Sequence, residues 1–329
     1  MDAGIFRSIC AKVQGFALRP RWVIGARGPV GLLAVWLGVF VFCPVFGAES
    51  ESSITEGQVI GERFRELTRS TEWRRTGEVK LQFRTYHPQG MALVGDRFFL
   101  SSVEVIDRAA DDGVGHLFEV DFAGNLRRQI QMGEGSVYHP GGIDFDGRSV
   151  WVPVAEYRPD SRSLVYRVDP VTLSAERVFQ FADHLGALVC DRAGRQLLGV
   201  SWGSRRIYRW DLLPDRDVPR DPNTPVEARN HSFYVDYQDG QFLPRTSLAL
   251  FSGLGRINSP GGPGFTLGGL ELVDLGSLRA VHQVPVPLWT ARGQSLLQNP
   301  MAAQVAPGGL RFLFVPEDDS SVLYSYTVE

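Results

Sequence analysis

The sequence is poor in cysteine and carries little excess charge. Only three cysteines occur in 329 residues. Cys10 and Cys43 fall in an N-terminal leader, which leaves Cys190 alone, so we expect no internal disulfide in the mature chain. The formal net charge is −3 and the isoelectric point is about 6.1, which gives no reason to expect a nucleic-acid partner.

Several active-site signatures are also missing. The sequence has no phosphate-binding Gly-Lys-Ser/Thr loop and no dinucleotide fingerprint. It has no His-x-His or Cys-x-x-Cys spacing that would mark a metal site locally. Any functional site must therefore be assembled from residues that lie far apart along the chain.

The N-terminus has the layout of a secretory signal. Lys12, Arg19, Arg21 and Arg27 precede an apolar run at residues 30–42. That run is short for a membrane span, which needs about 20 residues. We interpret residues 1–47 as a signal peptide cleaved near Gly47, with export to the periplasm or the extracellular space. An uncleaved membrane anchor is the alternative.

Five short stretches of the remaining chain resemble one another. Each opens with a histidine or an asparagine and continues into alternating apolar or small residues, the pattern of a strand with one buried face. Such a unit recurring every few tens of residues indicates a repeat architecture. The stretches begin at His87, His139, His184, His231 and Asn299.

These repeats predict an all-β fold, a β-propeller of five blades over residues 76–329. A sixth blade is the alternative if the polar segment at 48–75 contributes strands. We expect innermost strands at 91–94 and 233–237, among others, and a surface loop at 213–227. The last blade lacks an outer strand, and residues 77–83 form an orphan strand that would supply it and close the ring.

Each third strand of the first four blades ends in an aspartate that precedes a turn. A carboxylate at this position can accept N–H groups of its own turn, so we assign these residues a structural role. They are Asp121, Asp169, Asp211 and Asp274.

Innermost strands of a propeller line a central channel, so the opening residues should form a ring at one mouth of it. Imidazole is the commonest protein ligand for transition metals. The main hypothesis is therefore a divalent transition metal, of unassigned identity, bound by His87, His139, His184 and His231 and used for catalysis. Glu104, Glu156 and Glu317 end second strands and would orient the imidazoles from behind.

Two alternatives stay open. In the first, the polar ring is structural in a non-catalytic propeller that binds a ligand or acts as a scaffold, with the histidines bonded to each other and to water. In the other alternative, Glu104, Glu156 and Glu317 hydrolyse a glycosidic bond as acid, base or nucleophile.

Other polar and aromatic residues are expected near the same face. Arg158, Trp202, Arg205 and Asn299 could bind a small molecule or a saccharide, or they could anchor loops. We expect no nucleic acid, membrane contact only through an uncleaved leader, and a monomer.

Several longer segments resemble a family of secreted proteins known only as a domain of unknown function. They include His-Pro-Gly-Gly-Ile-Asp at 139–144, Gly-Val-Ser-Trp-Gly-Ser-Arg at 199–205 and Val-Asp-Tyr-Gln-Asp at 235–239. The resemblance covers residues 75–329 and implies a propeller-like fold without an activity. More distantly, the pattern is similar to regucalcin and gluconolactonase propellers, which hold a divalent metal with Glu, Asn and Asp. The histidines depart from that pattern, so lactonase activity is not carried over.

Overall fold

A computed structural model describes residues 51–258, 261–262 and 264–329. The leader predicted at residues 1–47 lies outside these residues. The described chain forms one α-helix, one 3-10 turn at Trp202–Ser204 and five β-sheets. In the described part of the chain, no helix is both long enough and apolar enough to cross a lipid bilayer.

The five sheets are the blades of a propeller, each of antiparallel strands in sequence order. Blade 1 contains β2 (His87–Val94), β3 (Arg97–Asp107), β4 (Asp112–Asp121) and β5 (Leu126–Met132). Blade 2 contains β6 (Val137–Pro140), β7 (Asp144–Phe145), β8 (Val150–Glu156), β9 (Ser163–Val168) and β10 (Ala175–Phe181). Its innermost strand is therefore interrupted, and both pieces pair with β8.

The next two blades keep the same order. Blade 3 contains β11 (Leu185–Asp191), β12 (Gln196–Ser201), β13 (Arg206–Asp211) and β14 (Val226–Arg229). Blade 4 contains β15 (Asp236–Leu243), β16 (Leu248–Ile257), β17 (Phe265–Asp274) and β18 (Arg279–Val286). The segment predicted as a surface loop at 213–227 is largely irregular, but β14 begins at its end.

Blade 5 closes the ring as predicted. It contains β19 (Met301–Ala306), β20 (Gly309–Phe314) and β21 (Val322–Val328), and β1 (Arg74–Lys80) pairs antiparallel with β21 as its outer strand. The N-terminal strand thus covers an edge that would otherwise be free to pair with another chain.

Five hydrophobic clusters lie one at each blade interface. The cluster between blades 4 and 5 also receives Ile60, Phe64 and Leu67. The first two belong to α1 (Glu51–Glu66), so the polar segment at 48–75 supplies a helix rather than a sixth blade. Helix α1 covers the interface next to the point of ring closure.

Turn aspartates stabilise the hairpins as expected. Asp121, Asp169 and Asp274 accept main-chain N–H groups of the following turn at 2.7–3.0 Å. Their side chains thus serve the turns, consistent with the structural role assigned from the sequence.

The inner strand of blade 4 lies later than predicted. We expected it at 233–237, opened by His231, but β15 starts at Asp236 and runs to Leu243. A β-bulge follows Pro88 in β2, Leu185 in β11 and Tyr237 in β15. Asp236, not His231, therefore aligns with His87 and His184, each of which stands one residue before those positions. The residue types do not reveal the bulge. The repeat was therefore aligned on His231, five residues before Asp236.

Candidate functional site

One buried carboxylate lies where the inner strands converge. Asp239 Oδ2 accepts the N–H groups of Met91 at 2.8 Å and Met301 at 3.1 Å. Its Oδ1 accepts those of Ile143 at 3.1 Å and Gly240 at 2.9 Å. The side chain is fully buried. A single residue of blade 4 therefore binds the inner strands of blades 1, 2 and 5.

A second carboxylate repeats this device. Asp144 Oδ2 accepts the N–H groups of Cys190 at 3.0 Å and Phe242 at 3.2 Å, which joins blades 2, 3 and 4. Burial raises the pKa of Asp144 to about 8 despite those N–H donors. Gln241 adds a two-way bond to the main chain of Ala303 in blade 5.

The sequence analysis missed these axial acids. A signal was present, because Asp144 and Asp239 stand in the segments His-Pro-Gly-Gly-Ile-Asp and Val-Asp-Tyr-Gln-Asp. Gly142 is a further trace of close packing, since a Cβ there would lie 2.7 Å from the Asp239 Cα. The centre of the propeller at this level is filled by protein.

Two of the predicted histidines lie close together, near the starts of the inner strands. His139 in β6 and His184 just before β11 have ring centroids 5.5 Å apart. His139 stacks on Tyr157 with centroids 3.9 Å apart. His184 Nδ1 lies 2.9 Å from the main-chain oxygen of Glu156. A carbonyl can only accept, so Nδ1 of His184 carries the proton.

Both imidazoles are held in the neutral form. Burial lowers the pKa of His184 to about 4. For His139, burial lowers the pKa well below its usual value, and the charges of His184, His87 and Arg108 lower it further. Of the predicted ring histidines, His184 and His87 therefore lie close enough to His139 to affect its pKa.

The other two predicted ligands have different surroundings. His87 is half-buried, and its Nδ1 lies 2.7 Å from a carboxylate oxygen of Asp318. Asp318 was not among the carboxylates predicted to orient the imidazoles, although it adjoins Glu317 in the sequence. His231 is exposed in the loop between β14 and β15. Within the described ranges, no group of three or more His, Cys, Asp or Glu side chains is arranged to hold a metal ion.

Glu156 is surrounded by positive charge. Its carboxylate is 2.5 Å from Arg158 and 3.0 Å from Arg162, and it accepts a hydrogen bond from Ser136 at 3.2 Å. Glu156 is only 8% exposed. Arg158, predicted as a ligand-binding residue, therefore has an internal partner.

The remaining two predicted carboxylates belong to separate clusters. Glu104 Oε2 is 3.4 Å from His116 Nε2. Glu317 accepts a hydrogen bond from the Tyr324 hydroxyl at 2.6 Å. Each of the three glutamates thus has its own partners.

An exposed tryptophan completes the surface around the two histidines. Trp202, in the turn after β12, is 38% exposed. Its ring centroid lies 4.7 Å from that of His184, 6.0 Å from Tyr157 and 6.5 Å from His139. We call these four residues the aromatic platform. The Arg108 guanidinium lies 3.8 Å from the Tyr157 ring centroid.

Arg205 serves the loops beside the platform. It donates to the main-chain oxygens of Gly203 at 2.6 Å and Ser232 at 2.9 Å, and it pairs with Asp236 at 2.7 Å. Of the two roles considered for this residue, the contacts match loop anchoring. Asn299 is 2% exposed and lies two residues before Met301.

Residues 199–203 read Gly-Val-Ser-Trp-Gly, the pattern of a hydrolase nucleophile elbow. That motif needs a strand, a sharp turn and a helix, with the serine exposed. Here Ser201 ends β12 of an antiparallel blade, is 2% exposed and accepts the N–H of Arg206 at 2.9 Å. Its hydroxyl stabilises the turn.

Solved structures share the fold. The tail fibre of Staphylococcus aureus phage P68 matches over 81% of this chain at 10% identity and a TM-score of 0.50. The match covers 55% of the fibre chain, so this chain spans about half of it. A GH43 endo-arabinanase from Bacillus licheniformis matches with 10% identity and a TM-score of 0.46, covering 76% of this chain and 95% of the enzyme.

A calcium-binding protein, regucalcin, from Agrobacterium tumefaciens also matches. The identity is 10%, the TM-score is 0.42, and 79% of this chain and 97% of the regucalcin are covered. The match to the tail fibre, with a TM-score of 0.50, is a likeness of fold alone and says nothing about activity.

No curated protein matches the chain in sequence. A family profile does match, and it spans residues 50–328, which include α1 and all five blades. The chain therefore belongs to DUF6454, a family of unknown function.

Proposed function

We propose that this protein is an exported, non-catalytic propeller that binds a saccharide on the aromatic platform. The observation that carries the proposal is the exposure of Trp202 on top of two buried, neutral histidines. An isolated exposed tryptophan would need no explanation. This one is fixed by ring contacts to three neighbours, so it presents a rigid surface at little entropic cost.

A saccharide suits this surface. A pyranose ring has an apolar C–H face and polar hydroxyls at its edge. An indole ring offers a flat apolar face, and the surrounding polar groups can fix the orientation of a ligand. Export, as expected from the leader, would bring the site into contact with extracellular polysaccharides.

The glutamates favour binding over hydrolysis. A glycosidase needs two carboxyl groups on either side of one bond, one of them able to give up a proton. Glu156 is paired with two arginines, and Glu104 and Glu317 have partners of their own. Such engagement suits a structural role for these acids.

Affinity electrophoresis through gels containing arabinan, galactan, polygalacturonate or alginate tests the proposal. We expect at least one polymer to retard the protein. The Trp202→Ala substitution should lower the affinity for that polymer at least tenfold. Trp289→Ala is the matched control, because Trp289 is exposed to a similar degree, 43%. Absence of retardation by all four polymers, or equal retardation of the Trp202→Ala variant, would overturn the proposal.

A metal-dependent enzyme at His87, His139, His184 and His231 is the second candidate. Its specific support is that His139 and His184 are neutral, the form that binds metals. The bond from His184 Nδ1 to a main-chain oxygen is also of the kind that orients metal ligands. Metal analysis of protein purified without a His tag tests it. Stoichiometric metal that is lost in a His139→Ala/His184→Ala variant supports this candidate, and metal-free protein rejects it.

A further inference from the structure

Three buried side-chain nitrogens of the innermost strands and their leading residues find no hydrogen-bond partner among the described residues. They are Gln89 Nε2, His139 Nδ1 and Asn299 Nδ2. Their residues are only 8%, 6% and 2% exposed. A buried polar group without a partner costs about 1–3 kcal/mol, and native proteins keep few of them. Such groups are expected where a ligand or a trapped water completes the bonding.

The three groups lie in, or just before, the innermost strands whose main-chain N–H groups bond to Asp239. The N–H groups of Met91 and Met301 bond to the same oxygen of that carboxylate. Gln89 and Asn299 each precede those residues by two positions. Gln89 is the bulged residue of β2 and Asn299 lies in the bend just before β19, so both amides stand on the side of Asp239 from which the inner strands begin.

His139 lies on the same side of Asp239 in blade 2. It lies four residues before Ile143, whose N–H bonds to the other oxygen of Asp239. The inner strands of a propeller run in the same direction around the axis. Blades 1, 2 and 5 therefore each bring one unpaired nitrogen toward a common opening, which we call the axial mouth.

The charges near the axial mouth favour an anion. Two of the three groups are amide NH2 groups, which only donate, and the third is an imidazole that can donate. Two acids that lie beside the histidines have other partners, since Glu156 pairs with two arginines and Asp318 with His87. Arg108 lies close enough to influence His139 electrostatically. Carboxylate oxygens are acceptors only and would satisfy several donors at once.

We propose that the axial mouth binds a carboxylate and that the ligand is an acidic saccharide containing uronate residues. This inference rests on the proposed function, because the aromatic platform supplies the contact with the sugar ring. His139 belongs to both parts of the site. Its ring centroid is 6.5 Å from that of Trp202, so adjacent groups of one sugar unit could reach both.

Esterification separates the two proposals experimentally. Polygalacturonate and alginate carry free carboxylates, and their methyl esters keep the same backbone without the charge. We expect at least one acid polymer to bind at least tenfold more tightly than its own ester. Equal affinity for the acid and its ester, or retardation of the protein by neutral polymers alone, overturns the carboxylate site. Either result leaves the proposed saccharide binding on the aromatic platform intact. A trapped water at the axial mouth would give that result. If no polymer binds, the proposed function fails as well.

Variants locate the effect. Asn299→Asp replaces an amide donor by a negative charge and should reduce binding of the acid polymer at least tenfold. Asn223→Asp makes the same change at an exposed site in the loop before β14 and should leave binding unchanged. Gln89→Leu gives a second test if Asn299→Asp fails to fold, which its melting temperature will show. Undiminished binding in the folded variant of either residue would overturn the assignment.

Discussion

Asp239 Oδ2 accepts the main-chain N–H of Met91 at 2.8 Å, so a side chain of blade 4 holds the inner strand of blade 1. The same carboxylate accepts three further N–H groups. Since the whole group is buried, water cannot replace it. We regard these hydrogen bonds of Asp239 as the contacts that hold the inner strands together, and as distinct from the proposed ligand site beside them.

Asp239→Ala should therefore be strongly destabilising. It leaves four N–H groups without an acceptor, and we expect the free energy of unfolding to fall by about 3–5 kcal/mol. Urea denaturation measures this. Asp215→Ala is the control, because Asp215 forms an exposed ion pair with Arg216 and should change stability by less than about 0.5 kcal/mol. Similar losses in the two variants would contradict an axial role for Asp239.

Asp144 should give the protein a specific pH dependence. Its pKa is about 8 in the folded chain, compared with an ordinary value of 3.8. Between these values the folded state holds a proton that the unfolded state has released. The contribution of this group to the unfolding free energy is therefore greatest below pH 4 and is lost as the pH rises towards 8, at about 1.4 kcal/mol per pH unit.

Asp144→Asn isolates that contribution. The amide oxygen can keep the bonds to Cys190 and Phe242 but does not titrate. We expect the variant to lose less stability than the wild type between pH 4 and pH 8, as measured by urea denaturation across that range. Parallel stability curves for the two proteins would show that Asp144 has an ordinary pKa.

Two glycines of helix α1 should respond in opposite directions to the same change. A Cβ at Gly57 would lie 2.4 Å from the main-chain nitrogen of Pro244, whereas one at Gly61 would meet only side-chain carbons at 3.5 Å or more. Gly57→Ala should displace the helix and lower the melting temperature. Gly61→Ala should raise stability by about 0.5–1 kcal/mol, because alanine favours a helix. Stabilisation by both substitutions would mean that α1 is not docked as described.

Ring closure predicts where the chain tolerates truncation. A chain starting at Glu51 keeps α1 and β1 and should retain its solubility and melting temperature. A chain starting at Leu81 lacks both elements and exposes the edge of β21, so it should aggregate. Size-exclusion chromatography distinguishes the outcomes. A stable, monomeric protein starting at Leu81 would refute closure by the N-terminal strand.

The repeats contained enough information for the fold. Period-2 patterning, regular spacing and the orphan strand near residues 77–83 predicted five blades and the pairing of β1 with β21. Helix α1 was harder to predict, because its burial depends on a groove between blades that no local pattern reveals. The inner strand of blade 4 was misplaced because a β-bulge shifts register without leaving a mark in residue types.

The site was predicted less completely. The repeat of histidines predicted that His139 and His184 lie near each other, and their ring centroids are 5.5 Å apart. It did not indicate that Asp144 and Asp239 lie at the axis. An aspartate in a strand can be recognised as a hydrogen-bond acceptor for other blades only when its partners are known. The spacing also could not show that Arg158 and Arg162 form ion pairs with Glu156, since ion pairs depend on side-chain directions.

A crystal structure with a bound oligogalacturonate or oligoalginate tests the central claim most directly. The account predicts a sugar ring in contact with the indole of Trp202 and a carboxylate within hydrogen-bonding distance of Gln89, His139 or Asn299. A saccharide bound to another surface, with the aromatic platform empty, would contradict it.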